Sequence, residues 1–77
     1  MKLIYTESGA QTLIDEDNKT FKRVNAPLSN QFNNDNIENP YIKILSMNVG
    51  DPLQILWEKD GVEKVRVSTP IIKIENW

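Results

Sequence analysis

Leu53-Gln54-Ile55-Leu56-Trp57-Glu58-Lys59-Asp60-Gly61-Val62-Glu63-Lys64-Val65-Arg66-Val67 is the stretch on which the fold of this chain turns. Two runs rich in aliphatic, β-branched and aromatic side chains flank a short segment of turn residues, which is the pattern of a β-hairpin. Two registers compete for it. A two-residue Asp60-Gly61 turn sets Ile55 opposite Arg66 and Trp57 opposite Lys64, mixing an apolar face with a basic one. A three-residue Lys59-Asp60-Gly61 loop instead sets Ile55 opposite Val65, Leu53 opposite Val67, Trp57 opposite Glu63 and Gln54 opposite Arg66. A slip of one residue turns a whole strand over, so burial selects strongly between the two. The pattern of apolar residues favours the three-residue loop, with a G1 bulge and Gly61 in the left-handed position. The expected core is Leu53, Ile55, Trp57, Val65 and Val67.

Further β-prone runs extend outward from this hairpin. Lys2 to Thr6 is a β-prone run ended by Ser8-Gly9, and Thr12 to Glu16 and Thr20 to Val24 flank a turn at Asp17-Asn18-Lys19. Tyr41 to Met47 is a further strand. Its apolar parity changes near Leu45, since Ile42 and Ile44 share one face and Leu45, Met47 and Val49 the other, so a bulge is expected there. Val49-Gly50-Asp51-Pro52 is a turn, Ser68-Thr69-Pro70 breaks the ladder, and Ile71 to Glu75 forms a last strand. Residues 26 to 40, with prolines at both ends and amides throughout, read as one long asparagine-rich surface loop pinned by Leu28, Phe32 and Ile37. The expected fold class is all-β: a small twisted antiparallel sheet curling into a partly open, SH3-like barrel, in one domain over residues 1–77.

At 77 residues the chain has room for one core, and domains near this size bury only about 60% of their unfolded surface. Cysteine and histidine are both absent, which removes disulfides, thiol nucleophiles and the commonest acid–base and zinc-binding groups. Ser8, Ser29, Ser46 and Ser68 have no partner base identifiable by spacing. Asp15 and Asp17 begin like a calcium loop, but Thr20 stands where glycine is needed and Ala26 where the closing glutamate is needed. Neither a catalytic residue, a metal site nor a cofactor is therefore expected, and the chain reads as a non-enzyme.

A formal charge of −2 gives no general attraction to polyanions. No membrane span and no secretory leader is read, so a cytoplasmic setting is expected. Heavy use of asparagine, isoleucine and lysine suits an AT-rich coding sequence, as in a low-GC bacterium, a phage or a mobile element. The function expected is a small binding or regulatory module acting through protein–protein contacts, with a protein partner or self-association. Its candidate contact residues are Phe32, Ile37, Tyr41 and Trp77. The alternative is a nucleic-acid-binding β-barrel using Lys43, Lys64, Arg66 and Lys73. Against it stands the expectation that Lys64 and Arg66, alternating with buried valines, occupy the outer face of their strand.

Overall fold

The computed structural model of the protein describes residues 1–24 and 37–76. Its strands are β1 (Lys2–Thr6), β2 (Gln11–Asp15), β3 (Thr20–Val24), β4 (Asn39–Pro40), β5 (Lys43–Ser46), β6 (Pro52–Lys59) and β7 (Val62–Asn76). They form one antiparallel sheet in the order β4-β3-β2-β1-β7-β6-β5, curled into a half-open barrel. Of the expected loop 26–40, Asn39 and Pro40 are instead a short edge strand paired with Phe21 and Thr20. Residues 25–36, with Leu28 and Phe32, lie outside the described residues, as does Trp77.

The early hairpins follow their local chemistry. Thr6 and Ala10 close the first, through Thr6 N–H to Ala10 O at 3.1 Å, with Gly9 at φ 87°. Asp15 organises the second. Its Oδ1 accepts from the Asp17 and Asn18 backbone N–H groups at 3.1 Å each, and its Oδ2 accepts from the Asn18 side-chain amide at 2.8 Å. These donors, the Asn18 side chain first, hold the Asp15 carboxyl below the ordinary 3.8. Because folding lowers this pKa, the stabilisation is complete above the unfolded value and is lost as the pH falls through the folded one. Asn18→Ala is expected to return the Asp15 titration toward 3.8 in a carboxyl NMR pH series; an unmoved midpoint would contradict this account.

At the Asp60-Gly61 turn the structure overturns the expected register. Lys59 pairs with Val62, Trp57 with Lys64, Leu56 with Val65, Ile55 with Arg66 and Gln54 with Val67. The connection is the two-residue turn, with φ 55° at Asp60 and 79° at Gly61. Positive φ at both central positions is the type I′ geometry, whose twist matches that of the flanking strands. Turn chemistry therefore outweighs the apolar pattern of β7. Leu53, Ile55 and Trp57 are buried as expected, but Val65 and Val67 are 51% and 60% exposed and do not belong to the core. A Cβ on Gly61 would meet nothing within 4 Å, so the penalty of Gly61→Ala is conformational, about 1 kcal/mol in a urea unfolding curve.

Ser68-Thr69-Pro70 also departs from expectation. Here β7 runs on without a break but changes partner, pairing with β6 up to Pro70 and with β1 from Ile71. Ser68 and Thr69 stitch the corner: Ser68 Oγ accepts from Leu53 N–H at 2.9 Å, and Thr69 Oγ1 accepts from Ser8 N–H at 3.1 Å. The bulge near Leu45 is present as a register shift between Ile44 and Ser46. Inside the curl, Ile4, Ile14, Phe21, Leu53, Ile55, Trp57 and Ile71 form one cluster, with Tyr41, Ile44, Met47 and Ile74 packed against it. Each fully buried aliphatic or aromatic side chain contributes about 1.5–3 kcal/mol. Phe21 meets Trp57 edge to face, with centroids 5.4 Å apart and planes at 89°.

Candidate functional site

A consequence of the two-residue turn is that Lys64 and Arg66 share the inner, concave face with Trp57 and Ile55, to which they are paired. They do not occupy the outer face. The Arg66 guanidinium lies over the Phe21 ring, 5.5 Å from its centroid, a cation–π contact made against the core. From the opposite wall, Thr12 and Arg23 are paired across β2 and β3. Both are buried, Arg23 at 7% exposure.

These residues line an open cleft of about 490 Å³. Its floor is Leu53, Ile55 and Trp57; its cations are Arg23, Lys64 and Arg66; and Thr6, Ser8, Thr12, Ser68 and Thr69 add hydroxyl groups. Among the described residues that line it there is no aspartate or glutamate. The chain as a whole is acidic, with eleven carboxylates to nine cations, so the described lining of the cleft differs from the chain's overall composition.

Backbone adds a second feature. Over its amino-terminal half, β7 pairs with β6 on one side, while β1, its neighbour on the other side, pairs only from Ile71 onward. Glu7 N–H reaches Pro70 O at 3.0 Å and marks where that side closes. Between Val62 and Ser68, no strand among the described residues pairs with β7 on the cleft side. An edge of that kind offers N–H and C=O groups to an incoming chain.

The other expected site residues do not gather here. Lys43 pairs with Leu56 on the convex face. Lys73, also convex, is held by Glu75 at 3.1 Å and lies 5.3 Å from the Tyr5 ring centroid. Tyr5 donates its hydroxyl to the same Glu75 oxygen at 2.8 Å, which raises the pKa of the phenol. Of the expected cationic set, then, Lys64 and Arg66 line the cleft, joined by Arg23, which the sequence reading did not single out. Ile37 is 54% exposed. Tyr41 packs against the core, and burial raises its pKa, with Glu16 and Asp15 adding to the shift. The signal for the true cluster was the Asp60-Gly61 dipeptide, the strongest short hairpin motif in the chain. Honouring it places both β7 cations beside Trp57 and Ile55.

Comparison with protein-family models, with curated proteins and with solved structures finds no match to this chain.

Proposed function

We propose that this protein is a non-enzymatic binding module that takes an extended segment of a partner protein by strand addition to the cleft-side edge of β7. The observation that carries the proposal is the coincidence of that edge, Val62 to Ser68, with a cleft of about 490 Å³ in the concave face. Main-chain hydrogen bonds along an edge give affinity, and pockets for alternate side chains give specificity. A stretch of this length accepts a segment about 20 Å long, a typical strand. The curled sheet, in which one long strand serves both halves, is in kind an SH3-like half-barrel. A cytoplasmic setting belongs to this reading, and the heavy use of asparagine, isoleucine and lysine suits a low-GC bacterium or one of its phages or mobile elements.

Peptides selected on the immobilised protein from a random display library test this function. N-methylation along a selected peptide should abolish binding at every second residue, because alternate amides of an added strand face β7. Uniform tolerance of N-methylation would refute strand addition. The placement of Lys64 and Arg66 beside Arg23 also favours a nucleic-acid strand as ligand. Phe21 and Trp57, however, are 1% and 7% exposed and offer no open stacking platform. Tighter binding of a single-stranded oligonucleotide than of any selected peptide, falling steeply with salt, would establish that alternative.

A further inference from the structure

Resting on the strand-addition reading, we infer that the added segment is read on its convex side, by β-branched residues opposite Val67 and Val65 and a cation opposite Glu63. Directly paired residues on neighbouring strands point to the same face of a sheet. Val65 and Val67 pair with Leu56 and Gln54 on β6, so they stand on the convex face, and both are more than half exposed. The apolar row from Leu56 to Val65 stops at the cleft-side edge of β7. A strand added there continues the row, and β-branched residues opposite the two valines supply the cross-strand pairs that this edge lacks. The outer edges of the sheet are blunted, β4 by Pro40 and β5 by its shortness, Lys43 and the shift between Ile44 and Ser46. Val62 to Ser68 contains neither a proline nor a shift of register after Gln54.

Charge specifies the third position. Glu63 pairs with Glu58, so two exposed carboxylates stand directly opposite each other on the convex face, an arrangement that destabilises a sheet. Among the described residues neither is ion-paired. A lysine or arginine of the added strand, set opposite Glu63 from the other side, offsets that repulsion. A second copy of β7 cannot supply it. The cations of this stretch, Lys64 and Arg66, both stand on the concave side, and antiparallel pairing about Val65 sets Val67 of the copy opposite Glu63. The fitting occupant is therefore a foreign segment. Every pair in this sheet is antiparallel, the slightly more stable arrangement. Read from its amino end, the segment is thus β-branched, any residue, β-branched, any residue, basic.

Three capped heptapeptides distinguish the outcomes: Ser-Val-Thr-Val-Thr-Lys-Ser, the same sequence with its lysine replaced by glutamate, and the same with both valines replaced by serine. Threonine fills the concave positions in all three, so the comparison is made on the convex side alone. Binding is measured by calorimetry at low and moderate salt, and amide hydrogen exchange is followed on β7. The first peptide should bind about threefold or more tighter than either of the others, its preference over the glutamate peptide shrinking as salt rises. It should also slow exchange at alternate amides between Val62 and Ser68. Glu63 is exposed and outside the core, so Glu63→Lys keeps the fold; it should invert the order of the lysine and glutamate peptides and leave the preference for valine unchanged. Equal binding of all three with β7 protected would overturn the convex reading and leave strand addition standing. Equal binding of the lysine and glutamate peptides alone would overturn the cation, and equal binding of the valine and serine peptides alone the β-branched pair. Selective binding without protection of β7 would overturn strand addition and with it this register. Failure of all three to bind would overturn both.

Discussion

Ile55→Ala is expected to lower the unfolding free energy by about 2–5 kcal/mol, while Val65→Ala changes it by about 0.5 kcal/mol or less. Both are aliphatic, β-branched residues in the same hairpin, and the alternative three-residue loop would make them direct partners in one core. In the structure they are on opposite faces. Ile55 is 1% exposed and belongs to the central cluster, so its truncation removes buried methyl groups and leaves a cavity. Val65 is 51% exposed and has little to lose. Paired urea titrations of the two variants therefore test the register itself. Comparable losses at both positions would restore the three-residue loop, return Lys64 and Arg66 to the outer face, and remove the proposed site.

Phe21→Ala is the second large effect, expected at about 3–5 kcal/mol. Phe21 is 1% exposed and makes the edge-to-face contact with Trp57 that joins the β3 side of the curl to β6. It is also the ring beneath the Arg66 guanidinium. A domain of this length has only about 4–12 kcal/mol of stability in total, so the variant should lose at least about a quarter of it and melt at a markedly lower temperature. Phe21→Leu restores most of the volume but not the ring, and should recover much of the stability while leaving Arg66 without its π face. Circular dichroism melts of the two variants separate packing from ring contact: equal melting temperatures for Phe21→Leu and Phe21→Ala would show that volume at this site is unimportant.

How much could be read in advance depended on whether the deciding interaction was local. Thr20 to Val24 was recognisable as a strand because β-branched and aromatic residues follow directly on the turn residues Asp17-Asn18-Lys19. The bulge at Leu45 was recognisable because two apolar residues of opposite parity cannot both face a core from a regular strand. Asp15 and Asn18 make a tight turn from their own side chains. For the cleft, only half the constellation was visible. Lys64 and Arg66 were noted as cations but assigned to the outside, and Arg23 on β3 is separated from them by some forty residues of chain. Proximity across a curled sheet leaves no trace in local spacing.

From the order of residues alone came the all-β class, most of the places where the chain turns, and the alternation of two chemically different faces along the strands of the Leu53 to Val67 hairpin. Which face of β7 turns inward was decided by the assembled molecule. Alternation specifies that valines and cations lie on opposite sides, but it is symmetric with respect to which side meets the interior. That symmetry is broken by the handed twist of the Asp60-Gly61 turn acting together with a β6 whose Leu53, Ile55 and Trp57 have no other place to be buried.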